Sequence, residues 1–175
     1  YRDLKGQFNK MVSIEMIEAV GAEFQDEYFK KCSDLLTDDG VFLLQAITIN
    51  DNLYDNALKW VDFIKEYIFP GSYIPCTASV MQSIKEKTDL RLYDLQDFSD
   101  DYARTLHQWC GRFKEQSAKM RGMGYGAEFQ RLWEYYFAYC EGGFLERSIG
   151  SVQMVFAKPR SKIRRIFSGQ DPDVA

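Results

Sequence analysis

One segment limits the possible folds more than any other: Val41-Phe42-Leu43-Leu44-Gln45-Ala46-Ile47-Thr48-Ile49, an apolar, branched run in which Gln45 is the single amide. A strand with one solvated face alternates apolar with polar residues, so a run this continuous fits a strand covered on both faces. Phe8-Asn9-Lys10-Met11-Val12-Ser13-Ile14 is shorter but similar, and its β-branched residues fit a parallel strand, also covered on both faces. Between the two, Phe24, Tyr28, Phe29, Cys32, Leu35 and Leu36 recur at helical spacing, and Thr37-Asp38-Asp39-Gly40 supplies turn chemistry that ends a helix over 24–36. Strand, helix and strand in this order predict a parallel, right-handed crossover and an α/β fold.

The rest of the chain extends this pattern. A helix is expected over 54–69, stopped by Pro70-Gly71, and another over 77–87. Leu90-Arg91-Leu92-Tyr93-Asp94-Leu95 alternates as a half-exposed strand does. Two long helices, over 102–120 and 127–144, flank the break Gly122-Met123-Gly124-Tyr125-Gly126, and a last strand covers 151–157. Residues 1–159 therefore read as one globular domain. Residues 160–175 read as a tail, first basic (Arg160, Lys162, Arg164, Arg165) and then of disordered composition. Such a tail either lies on anionic lipid headgroups or is simply solvated.

Composition excludes several classes. With 22 Lys+Arg against 26 Asp+Glu and a net charge of -4, the chain has no broad positive field for nucleic acid, which is not expected as a partner. Cys32, Cys76, Cys110 and Cys140 are scattered, without the close pairs of a zinc site or a disulfide scaffold, and read as reduced thiols; no metal is expected. No apolar run approaches the ~20 residues that span a bilayer, which predicts a cytoplasmic protein. The aromatic share, 15% with 11 Tyr and 13 Phe, suits an apolar ligand cavity and equally a well-filled core. A nucleotide-binding turn needs glycines between a strand and a helix; the glycines at 122–126 lie between two helices and read as a hinge.

Several segments, taken in order, resemble one family. They are Tyr1-Arg2-Asp3-Leu4, the stretch from Phe8 through Ser13 into Met16-Ile17-Glu18-Ala19-Val20-Gly21, residues 40–47, Tyr67-Ile68-Phe69-Pro70-Gly71, Asp101-Tyr102, and 129–144. Over about 160 residues the chain resembles the cyclopropane-fatty-acyl-phospholipid synthases and mycolic acid cyclopropane synthases. The resemblance implies the C-terminal portion of a Rossmann-like, S-adenosylmethionine-dependent methyltransferase fold, with helical insertions over an acyl tunnel and a last strand antiparallel to its neighbours. It also implies that the first three strands, the glycine-rich cofactor loop and the ribose-binding acid precede Tyr1. On that reading no confident cofactor-binding residue lies in the chain, and the piece alone is inactive.

The implied reaction transfers a methylene or methyl group from S-adenosylmethionine to the double bond of an unsaturated phospholipid acyl chain, through a carbocation deprotonated by a bound bicarbonate. Carried over by motif, Glu18 and Tyr102 are anion ligands and Ile47 is a backbone contributor. Gln45 stands where many members carry His, and Ala19 replaces a His that often follows the Glu. An amide can donate to an anion but cannot carry a proton near neutrality, which leaves anion binding open and a proton relay in question. The plainer readings are a helix-start charge for Glu18, a core Tyr for Tyr102, a satisfied core amide for Gln45 and a surface or packing role for His107. C-methylation without ring closure, small-molecule N-methylation and a non-catalytic lipid-binding fragment remain as alternatives. Peripheral membrane contact and a homodimer complete the expectations.

Overall fold

A computed structural model of the chain describes residues 1–163; much of the basic tail expected over 160–175 lies outside them. Four strands, β1 (Phe8–Ile14), β2 (Leu36–Ile49), β3 (Arg91–Asp97) and β4 (Ile149–Ala157), form one sheet in the order β1-β2-β4-β3. The β1 and β2 pair is parallel, as the strand-helix-strand pattern predicts, while β4 runs antiparallel to both β2 and β3. Six α-helices accompany them among the described residues: α1 (Gln25–Asp34), α2 (Tyr54–Ala57), α3 (Thr77–Lys87), α4 (Ser99–Glu115), α5 (Ser117–Gly122) and α6 (Ala127–Leu145).

The two faces of β2 explain its continuous apolar run. Phe42, Leu44 and Ala46 point to one side, where they meet Val152, Met154 and Phe156 of β4 and, from α1 and α3, Tyr28, Phe29, Val80 and Ile84. Phe42 and Phe156 are fully buried and stack at 6.1 Å, and burying such a side chain stabilises the fold by about 1.5–3 kcal/mol. The opposite side packs on α4 and α6, where Ala103, Leu106, Phe137 and Phe144 form a second core with Ile47 and Ile149. The result is three layers, helices on both sides of a mixed sheet.

Several elements depart from expectation. β1 is not covered on both faces: Met11 packs into the first core and Ser13 accepts the Tyr28 hydroxyl at 2.7 Å, but Val12 and Ile14 are 61% and 60% exposed. Among the described residues β1 has a strand partner on one side only, so branched residues reported the strand but not its cover. Thr37-Asp38-Asp39-Gly40 lies inside β2 as an irregularity, since pairing jumps from Phe8↔Leu36 to Lys10↔Val41. A Cβ on Gly40 would sit 3.0 Å from Leu36 Cβ and from the Thr37 carbonyl, so this bend has no room for a side chain.

The helix expected over 54–69 breaks into α2 and a π-turn at Ile64–Ile68. Lys65 accounts for the break: its ammonium donates to the Ala57 and Trp60 carbonyls, while its N–H is capped by Asp62 Oδ1. The helix expected over 102–120 starts earlier, at Ser99, and divides at Gln116 into α4 and α5.

Candidate active site

The candidate site forms where β1 stops and β2 continues. After Ile14 the chain leaves the sheet at Glu15, whose φ of 49° lies in the left-handed region that non-glycine residues seldom adopt. The Glu15 N–H still donates to the Gln45 carbonyl at 2.9 Å. A continued parallel ladder would next bring a carbonyl to the N–H of Ile47. The turn at Ile17–Ala19 brings the Glu18 carboxylate instead, and its Oε1 accepts from Ile47 N–H at 2.7 Å. Glu18 Oε2 is buried and accepts no hydrogen bond from the described residues. Burial pushes the Glu18 carboxyl above the usual carboxylate range, its own N–H and that of Ile47 pull it back, and the charge of Glu15 adds to the rise.

The other two sequence-predicted residues meet on Glu15. Gln45 Nε2 donates to Glu15 Oε1 at 3.1 Å, while Gln45 Oε1 accepts from Gln153 Nε2 at 2.9 Å, so both ends of this strand amide are partnered. From α4, the Tyr102 hydroxyl donates to Glu15 Oε2 at 3.1 Å. Its ring stacks on Phe144 at 4.8 Å and meets the edge of Trp109 at 6.5 Å. Burial, reinforced by the charge and hydrogen bond of Glu15 and by the charges of Tyr136 and Glu18, raises the Tyr102 phenol well above its ordinary value, so it stays a donor near neutrality.

Glu18, Gln45, Ile47 and Tyr102 are thus gathered at the carboxyl ends of β1 and β2, the edge where open α/β sheets place their ligands. Their present partners are protein groups: Glu18 holds Ile47, and Glu15 holds Gln45 and Tyr102. Glu15 was missed by sequence reading. Its only signal was a second carboxylate directly after an apolar strand, in Glu15-Met16-Ile17-Glu18. His107 lies apart, exposed and paired through Nδ1 with Glu141 at 3.0 Å.

The site faces an aromatic layer. Along α6, Trp133, Tyr136 and Phe137 contact one another, Trp133 and Phe137 also meet Phe113 of α4, and Phe63 sits edge-on to Tyr135 at 4.6 Å. Burial, then the charges of Cys140 and Glu15, push the Tyr136 phenol up to about 12. All four cysteines are free thiols. Among the described residues no group of three or more His, Cys, Asp or Glu could hold a metal ion, and no helix is long and apolar enough to cross a membrane.

Comparison with known proteins finds sequence and fold similarity to enzymes named as cyclopropane synthases and lipid methyltransferases. The family model described as mycolic acid cyclopropane synthetase matches residues 1–154. The tuberculostearic acid methyltransferase UfaA1 of Mycobacterium tuberculosis is 36% identical over 144 residues, covering 82% of this chain and 34% of that protein. The cyclopropane-fatty-acyl-phospholipid synthase of Escherichia coli K12 is 34% identical over 159 residues, covering 90% of this chain and 40% of the other. Among solved structures, the cyclopropane synthase MmaA2 from Mycobacterium tuberculosis superposes with a TM-score of 0.80 at 25% identity, over 90% of this chain and 57% of its own. The chain therefore spans well under half the length of these two curated relatives. Its fold is the Rossmann-like fold of S-adenosylmethionine-dependent methyltransferases.

Proposed function

The chain belongs to the mycolic acid cyclopropane synthetase family, and from that premise we propose that the whole protein is an S-adenosylmethionine-dependent enzyme acting on the double bond of an unsaturated phospholipid acyl chain. The observation that carries this reading is the convergence of Glu15, Glu18, Gln45 and Tyr102 at one sheet edge, against an aromatic layer suited to an acyl chain. The sulfonium of S-adenosylmethionine supplies an electrophilic methyl group. The alkene π pair attacks that carbon, the sulfur keeps the pair of the broken C–S bond, and positive charge is left on the neighbouring alkene carbon. Carboxylates and the faces of Tyr and Trp rings stabilise such a cation in a site with little water. Loss of a proton from the new methyl closes a cyclopropane.

The cofactor-binding strands would lie in the part of the relatives that this chain does not span, and they would extend the sheet from the open edge of β1. By resemblance, Tyr1-Arg2-Asp3-Leu4 would stand near the adenine. Residues 1–159 would then be the C-terminal part of the catalytic domain, unable to act alone, and the whole protein a peripheral visitor to the membrane from the cytoplasmic side. The bicarbonate that the resemblance implies as base fits these residues poorly. Gln45 Nε2, Tyr102 Oη and the Ile47 N–H each already donate to a protein carboxylate, and among the described residues no lysine, arginine or histidine is hydrogen-bonded to Glu15 or Glu18 to offset a third negative charge.

A second reading, methylation without ring closure, is favoured by the 36% identity to a tuberculostearic acid methyltransferase and by an amide at Gln45, which cannot relay a proton near neutrality. Incubating the full-length protein with unsaturated phospholipid vesicles and methyl-labelled S-adenosylmethionine, followed by mass analysis of the acyl chains, separates the two products. Tyr102→Phe is expected to lower turnover about 10²-fold, as loss of one placed donor does. If no label enters any lipid while a small amine is methylated, the reading fails.

A further inference from the structure

We propose that Glu15 is the catalytic base, its carboxylate standing where the resemblance would put a bound bicarbonate. This inference rests on the carbocation reading above and adds to it the identity of the proton acceptor.

The first argument is geometric. Gln45 and Tyr102 donate to different oxygens of the same carboxylate, at 3.1 Å each. Neither donor is free to drift, since Gln153 holds the far end of the Gln45 amide and Phe144 stacks on the Tyr102 ring. A carboxylate held at both oxygens by uncharged donors is fixed in place and still has lone pairs to accept a proton.

Backbone conformation supplies the second. A φ of 49° at Glu15 is a position that glycine adopts freely and glutamate does not, and strain of this kind gathers at functional sites. The left-handed turn takes the chain out of β1 and sets this carboxylate beside Gln45 at the carboxyl edge of the sheet.

Charge supplies the third. Glu18 is already pushed toward its neutral form by burial and by the charge of Glu15. A bicarbonate would be a third anion among donors that carry no formal charge. A resident carboxylate needs no such guest.

The step balances without a further reactant. Once the methyl has joined the alkene, a C–H pair of that methyl closes the third ring bond onto the cationic carbon, and its proton passes to Glu15. If the proton comes instead from a chain carbon next to the cation, that carbon's own C–H pair becomes a new double bond and the product is a methyl-branched alkene. The neutral Glu15 then gives its proton to water.

The test uses the full-length protein, unsaturated phospholipid vesicles and labelled S-adenosylmethionine, in buffer stripped of carbon dioxide and again with added bicarbonate. Wild-type turnover is expected to be the same in both buffers. Glu15→Gln is expected to lose about 10²- to 10⁴-fold, as removal of a general base does. Glu15→Gly, which relieves the left-handed strain and opens the same space, is expected to be as slow in stripped buffer and to regain turnover with bicarbonate. Calorimetric S-adenosylmethionine binding by both variants shows that they are folded. Wild-type turnover that collapses on removing bicarbonate overturns the proposal, as does a Glu15→Gln enzyme within a few-fold of wild type. A folded wild type that labels no lipid in either buffer overturns the lipid-alkylation reading together with it, and so is distinct from both.

Discussion

Replacing Glu18 with Gln should make the protein more stable at neutral pH, although Glu18 accepts one of the shorter hydrogen bonds of the site. The substitution keeps an acceptor for Ile47 N–H and removes a charge. An ionised acceptor at 2.7 Å contributes about 1.5–3 kcal/mol against about 1 kcal/mol for a neutral one, so the lost bond strength is about 1 kcal/mol. Against that stands Glu18 Oε2, buried without a partner, which costs about 1–3 kcal/mol for a neutral group and more for a charged one. Burial outweighs the two backbone bonds, since the carboxyl is raised overall, so the net change for Gln is a gain; from the hydrogen-bond and desolvation ranges above it is on the order of 1 kcal/mol. The sign follows from linkage: between its ordinary value and its raised folded value, Glu18 binds more proton folded than unfolded, so wild-type stability falls as pH rises through that window. The advantage of Glu18→Gln should therefore be full above the raised folded value and fade as pH falls below the ordinary glutamate value, where both side chains are neutral. Guanidinium unfolding of the full-length protein across this range measures it. A variant that is less stable than wild type by the same amount at both ends would refute the reasoning.

Two further outcomes probe the scaffold. Phe156→Ala should cost about 3–5 kcal/mol in chemical denaturation, because Phe156 is fully buried and stacked on Phe42 between β4 and β2. Asp89 is raised by burial but held below its ordinary range by hydrogen bonds from Lys158 at 2.7 Å and Ser33 at 3.0 Å. Its contribution is present above the ordinary aspartate value and is lost as pH falls through the lowered one. Asp89→Asn, at a half-exposed pair, should cost about 0.5–1 kcal/mol at pH 7, a difference that shrinks on acidification and is read by the same titration.

What was legible in the sequence followed from periodicity backed by burial on known sides. β1 and α3 lie within the expected bounds because alternation, branching and a sharp cap act locally; at the α3 start, Cys76 Sγ accepts from Ser79 N–H. The stretch 54–69 failed because its apolar residues match a helix while Lys65 and Asp62 take hydrogen bonds that an unbroken helix would satisfy internally. The exposure of Val12 and Ile14 was equally hidden, since branching reports strand preference and says nothing about what lies across the strand.

The site divides along the same line. Glu18, Gln45, Ile47 and Tyr102 were reachable because they occupy motif positions, and the fold brings them to one edge from the turn after β1, from β2 and from α4. Glu15 was not reachable by pattern, because its role depends on a single backbone angle. Had the chain continued in β conformation for one more residue, side chains on a strand alternate between faces, and position 15 would have pointed away from Gln45 and Tyr102. The left-handed turn reverses that, setting a carboxylate among donors on the Gln45 side of the sheet. The positive φ and the double hydrogen bond are therefore one feature, and a substitution that changed the angle while keeping the carboxylate would disturb the site as surely as one that removed it.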